Sequence, residues 1–232
     1  MSNRVADLRH DLRVMGLVGS AHASSHFFHL ILPPLFPILK LDFDVSFAAL
    51  GLLPTLFYGA SGIAQTIAGF LVDRFGARRV LLLGLTLLSL SVIGYGFCFS
   101  FWGLMFFSIT AGLGNSVFHP ADLSILTNKI STERLGKAYA IHAFSGNIGW
   151  ALAPIFIVAL ASFWDWRTAT ILAGLIGLNI VLMFFLSGEL LIENSPEKQA
   201  KNPVSFKKTN PLFNQITALL SSTVISCFLF FT

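Results

Sequence analysis

Charge is scarce in this sequence. Only 11% of its 232 residues are charged and 55% are hydrophobic, against a charged share of roughly 25% in ordinary soluble proteins. That imbalance excludes a water-soluble domain, which could not keep so much apolar surface away from water. Cysteine is nearly missing as well. Cys98 and Cys227 both stand in apolar surroundings, which excludes a disulfide framework and a cysteine metal site. No basic patch interleaved with aromatics occurs, so the pI near 9.3 calls for no nucleic acid partner.

What is present is a regular spacing of charges. The uncharged runs 14–39, 45–72, 138–164 and 168–188 each suffice for one bilayer crossing, which takes about 20 residues. The run 80–121 would be about 63 Å long as one helix, twice the roughly 30 Å hydrocarbon core. It must therefore be two helices, turning near Phe99-Ser100-Phe101. A last uncharged run, 209–232, begins a seventh. The predicted spans are 14–37, 46–71, 80–98, 102–125, 138–161, 167–188 and 212–232. The first is too long in its apolar part for a cleaved signal sequence and is read as a retained anchor. With the N-terminus in the cytosol, that side receives 13 of the 15 lysines and arginines, only Lys40 and Arg167 facing outward. This is the positive-inside asymmetry of a multi-pass membrane protein.

The predicted organisation is a six-helix transmembrane bundle over 1–189, a polar cytosolic loop over 190–211, and an incomplete start of a second bundle over 212–232. A complete seven-helix protein is the alternative. Glycine pairs inside the spans, such as Gly112 with Gly114 and Gly146 with Gly149, suit close helix approach.

The most specific stretch lies between the second and third spans: Gly69-Phe-Leu-Val-Asp73-Arg74-Phe-Gly76-Ala-Arg78-Arg79. A plain positive-inside loop needs arginines but not this order of glycine, aspartate and arginine. Gly76 permits a tight turn, and Asp73 can accept hydrogen bonds at the N-terminus of a neighbouring helix. The stretch closely resembles the signature loop of the major facilitator superfamily and falls where that family has it. Gly149-Trp-Ala-Leu-Ala153-Pro154 resembles the fifth-helix element of its proton-coupled antiporters, with Ala153 in place of the second glycine. Gly112-Leu-Gly114-Asn115-Ser-Val-Phe-His119-Pro120, with His142 and Asn147, is nearer to the fosmidomycin-resistance-type branch than to sugar carriers. Two positions depart from those patterns. Ser108 stands where many drug-exporting members carry an arginine, and His26 where branch members often carry an aspartate.

Three histidines, His22, His26 and His29, sit at spacings of four and three in the first span, so a helix stacks them on one face. Ionisable groups at membrane depth are costly unless they face a bundle interior or water, which makes them functional candidates. Counted from Val14, His22 lies about 12 Å in and His29 about 22 Å, near the midplane where carriers hold substrates. Asn147 is expected at that level. His119, Asp122 and His142 are expected nearer the cytosolic ends, in an inner vestibule. A cavity imidazole gains and loses a proton as burial and neighbouring charge change. The plainer reading is that these side chains hydrogen-bond between helices. Zinc held by the triplet is a further alternative, whereas a membrane di-iron enzyme needs many more histidines than the six present.

These readings combine into one expectation. The chain is an all-α integral membrane protein, the N-terminal half of a major facilitator carrier, and not an enzyme. It moves a small solute by alternating access, coupled to protons, with the lipid bilayer as its surroundings and no cofactor or metal. His22, His26, His29, Asn115, His119, His142 and Asn147 are the expected substrate and proton contacts. Gly69, Asp73, Arg74, Gly76, Arg78 and Arg79 form the expected cytosolic gate, and Gly149 and Pro154 the helix-five element. The resemblance implies a second six-helix half. A non-transporting structural or sensory bundle, or a self-associating half-carrier, is the alternative.

Overall fold

The computed structural model describes residues 2–191. The predicted seventh span, and most of the central loop with Lys198, Lys201, Lys207 and Lys208, lie outside them. Among the described residues every regular element is helical: α1 (Ser2–His29), α2 (Phe36–Phe43), α3 (Phe47–Phe75), α4 (Ala77–Gly96), α5 (Phe101–Asn115), α6 (Phe118–Lys129), α7 (Leu135–Phe163), α8 (Trp166–Leu186) and α9 (Gly188–Leu191), with short 3₁₀ turns at Pro33–Leu35 and Thr132–Arg134.

Local chemistry sets the starts and stops. Ser46, Ser100 and Asp165 each accept a hydrogen bond from the amide three residues on, at 3.1, 3.3 and 2.9 Å, and so cap α3, α5 and α8. Between α3 and α4 a single residue makes the turn. Gly76 takes φ 86° there, a conformation open to glycine and strained for other residues. The long uncharged run divides between α4 and α5, across the expected turn at Phe99-Ser100-Phe101.

Among the described residues, five helical stretches are long and apolar enough to cross a membrane: Phe47–Phe75, Ala77–Gly96, Phe101–Lys129, Thr132–Phe163 and Trp166–Leu186. α1 is not among them. Charged residues fill its first turns, and serines and histidines its second half, so its apolar face is interrupted. The expected first span at 14–37 also needs correction. The helix runs from Ser2 and stops at His29, because Pro33 and Pro34 lack the amide that would carry it on. The chain then re-enters helix as α2, which ends on Asp44 in the left-handed conformation at φ 49°. The fourth span is broken too. α5 stops at Asn115 and α6 begins at Phe118. Pro120 cannot donate to the carbonyl of Ser116, and its ring crowds that turn.

The core forms where α1 packs on α7, α3 on α5, and α4 between α5 and α8. Glycine sets how close these helices come. A Cβ on Gly149 would strike the Ala23 carbonyl of α1, and one on Gly112 the Phe57 carbonyl of α3. At both crossings backbone meets backbone, the small-residue contact of membrane bundles. Large apolar side chains such as Ile63, Phe70, Leu83 and Phe185 remain outside, 69–76% exposed. This is the inverse of a soluble surface and suits lipid or another apolar surface.

Candidate functional site

The interior of this apolar bundle holds a polar column built from α1, α5, α6 and α7. Asp122, the one carboxylate inside the spans predicted from the sequence, is 0% exposed. The break after α5 sets α6 against α1, and this brings Asp122 to two imidazoles. His142 Nε2 lies 3.1 Å and His22 Nδ1 3.3 Å from the same carboxylate oxygen. The two rings stack at 3.6 Å between centroids. The second carboxylate oxygen of Asp122 has no hydrogen-bond partner. With both imidazoles neutral the group carries one negative charge in a dry interior, which is costly. One added proton makes it neutral.

From this buried group the column continues outward through ring contacts. His22 lies 4.4 Å from His26 and 5.5 Å from His119. His26 lies 5.0 Å from His29 and 4.4 Å from the Trp150 ring. His119 is exposed, and His26 is partly so. A Cβ on Gly146 would come within 2.9 Å of the His26 ring and 3.0 Å of His22 Nε2, so this glycine makes room for the imidazoles.

A second group lies beyond His26 and is internally satisfied. The Trp150 indole can only donate, so at 3.3 Å it makes His29 Nδ1 an acceptor. His29 Nε2 then carries the proton and donates to Asn115 Oδ1 at 3.0 Å. The same oxygen accepts from Ser25 at 2.6 Å, while the Asn115 amide donates to Ser61 at 2.9 Å. Each group has its partner.

Most of the expected contacts thus meet in one place, with one correction. His119, Asp122 and His142 do not form a vestibule apart from His22; they surround it. Depth counted from the first apolar residue misplaced them, because α1 begins at Ser2, well before its apolar stretch, and α7 at Leu135, slightly before its own. Asn147 is exposed on α7 and has no side-chain hydrogen bond among the described residues. The zinc alternative also changes partners. Both nitrogens of His29 are engaged, whereas ligand atoms from His22, Asp122 and His142 lie within 4.8 Å of one another, a spread that a proton or one small cation could bridge. Asp122 and Trp150 were absent from the expected contacts. Asp122 had a visible signal, as the sole acid ending an uncharged run at membrane depth.

In the Gly69–Arg79 loop, Asp73, Arg74 and Arg79 are exposed and a Cβ on Gly69 would meet nothing within 4 Å. Arg78 donates to the Phe185 carbonyl at 3.4 Å, near the end of α8. At the same end of the bundle, α1 is tied to the turn before α7. Asp11, 3% exposed, accepts from Arg134 Nε at 2.7 Å and from the Ser131 hydroxyl at 2.9 Å. At the other end, Arg167 pairs with Asp42 at 2.9 Å and Trp166 donates to it at 3.1 Å.

An all-helical bundle of membrane-length apolar helices around a polar interior column is the architecture of a multi-pass membrane protein. The comparisons agree with it. The family model described as the Major Facilitator Superfamily matches residues 18–232. The uncharacterized MFS-type transporter YfnC of Bacillus subtilis (strain 168) is 25% identical over 84% of this chain and 49% of its own length. The fosmidomycin resistance protein of Escherichia coli (strain K12) is 21% identical over the same shares. A crystal structure of a bacterial homolog to the human lysosomal transporter Spinster, inward-facing and unoccupied, superposes with a TM-score of 0.72 at 17% identity, over 90% of this chain and 49% of that one. The chain belongs to the Major Facilitator Superfamily, a family of membrane transporters and not of enzymes. It spans about half the length of these relatives.

Proposed function

We propose that the whole protein is a proton-coupled secondary transporter that moves a small solute by alternating access. In this reading residues 1–189 supply one bundle, 190–211 the cytosolic central loop, and 212–232 the start of a second bundle. The protein resides in a bacterial inner membrane with its N-terminus in the cytosol, and Asp73, Arg74 and Arg78 belong to the inner gate. One observation carries this reading: a fully buried carboxylate sits between two imidazoles, and ring contacts lead from them to an exposed histidine. A proton arriving at His119 or His26 can pass to His22 and neutralise the Asp122 group. Loss of that charge changes the cost of enclosing the cluster, which ties proton binding to the opening of one side or the other.

The test is solute uptake by the full-length protein in proteoliposomes under an imposed pH gradient. Asp122→Asn is expected to abolish gradient-driven accumulation while solute exchange across the membrane persists. Undiminished accumulation by this variant would remove the coupling role.

A further inference from the structure

We infer that the exposed part of the column, His26 and His119 beside Trp150, binds the oxyanion head of a small organic anion, a carboxylate or a phosphoryl group. This rests on the transporter reading and adds the class of cargo. Three observations converge on it.

The first is the sign of the available groups. The side chains that can carry charge around this face are His22, His26 and His29 from α1, His119 and Asp122 from α6, His142 from α7 and Tyr58 from α3, which lies 5.4 Å from His29. Asp122 alone is acidic, and it is 0% exposed behind His22 and His142. A cation on this face would find no exposed carboxylate.

The second is which groups remain free. His29, Asn115, Ser25 and Ser61 satisfy one another, so they offer a polyol little. The His26 ring is partly exposed, although its Nδ1 is buried beside Gly146, and His119 is exposed with no hydrogen bond among the described residues. These two are the imidazoles left to receive a ligand.

The third is spacing. The His26 and His119 rings stand 6.5 Å apart and nearly perpendicular, at 83°. An oxyanion between them can accept an N–H from each at about 2.8 Å. Trp150, 4.4 Å from His26 and 41% exposed, offers an apolar wall for the carbon body behind the head. Few convergent polar groups against an aromatic wall are the usual make-up of a small-molecule site.

The experiment uses the full-length protein, purified for binding and reconstituted for flux. Tryptophan fluorescence is titrated with inorganic phosphate, glycerol 3-phosphate, gluconate, glucose and spermidine, with Trp150→Phe identifying the reporter. At least one of the three anions is expected to bind tenfold or more tightly than glucose or spermidine. His119→Gln, at an exposed position that leaves the fold intact, and His26→Gln are each expected to weaken that anion tenfold or more. A response to none of the anions, or an equal response to glucose, overturns the inference. So does unchanged anion affinity in both variants. The flux arm separates the two readings. Anion binding with no flux of any probe keeps the site and overturns transport, whereas flux of glucose or spermidine without the anions keeps transport and overturns the site.

Discussion

Asp11 and Asp122 are both buried carboxylates, 3% and 0% exposed, yet their surroundings differ in kind. Asp11 lies at the end of the bundle beside the turn before α7, where a guanidinium and a serine hydroxyl hold it. Asp122 lies at membrane depth between two imidazoles, with one oxygen unpartnered. A guanidinium never gives up its proton in a protein, so Asp11 is permanently paired. An imidazole has a neutral and a protonated form, so the pairing around Asp122 is not fixed in the same way. The first arrangement suits a fixed tie between helices, the second a group that alternates between two charge states.

The sharpest way to break this comparison is to remove the charge that alternates. Asp122→Asn is expected to reduce gradient-driven uptake roughly a hundredfold, equivalent to about 2.7 kcal/mol, while exchange flux stays within a small factor. Uptake assays in proteoliposomes with and without a pH gradient check both halves.

Giving Asp122 the permanent partner that Asp11 has is the converse. His142→Arg is expected to arrest coupled transport nearly as completely while keeping the bundle at least as stable as His142→Ala does. Removing a partner is different. His22→Ala leaves the buried carboxylate with one imidazole and is expected to destabilise the protein by about 3 kcal/mol, besides abolishing coupled flux. Thermal unfolding in detergent separates these outcomes. If His142→Arg transports normally, the distinction between permanent and titratable partners carries no function.

A milder change keeps every charge and moves only the rings. A methyl on Gly146 would sit 2.9 Å from His26 and 3.0 Å from His22 Nε2. Because these neighbours are side chains that can shift, Gly146→Ala is expected to cost about 1–2 kcal/mol in stability and to slow coupled uptake about tenfold. Gly59→Ala is the reference for stability, since its added methyl meets nothing within 4 Å of this bundle.

How much of this was legible beforehand follows from which physics each feature uses. Helix number and turn positions come from charge spacing and from caps such as Ser100, local properties readable along the chain. The shared face of His22, His26 and His29 follows from helical period alone. The meeting of His22 with Asp122 and His142 does not. It depends on where α5 breaks, on how far α1 and α7 extend before their apolar stretches, and on backbone contact at Gly149, all properties of packing between helices. Pro120 was read only as part of a motif, and its consequence for the direction of Asp122 does not follow from the sequence alone. Trp150 was read as part of a motif, whereas its indole proton fixes the protonation pattern of His29 and Asn115, which no spacing rule specifies.

The smallest expected effect concerns Asp11, and it sharpens the comparison through pH. Burial alone would raise the Asp11 pKa, but the hydrogen bonds from Arg134, Ser131 and His10 outweigh it and hold the carboxyl below its ordinary value of 3.8. A carboxyl lowered on folding adds stability above its unfolded pKa, and loses that contribution only as pH falls through the lower folded value. The advantage of the natural protein over Asp11→Asn is therefore expected to be about 1–3 kcal/mol, constant from pH 8 to about 5 and shrinking only below about 4. Unfolding midpoints of the two proteins in detergent across that range test it. Coupled uptake by Asp11→Asn at pH 7 should change by no more than a small factor, because a tie that never alternates has no proton to contribute. If the advantage instead varied between pH 6 and 8, His10 rather than Arg134 would be the partner that decides it, and the contrast with Asp122 would fail at its permanent end.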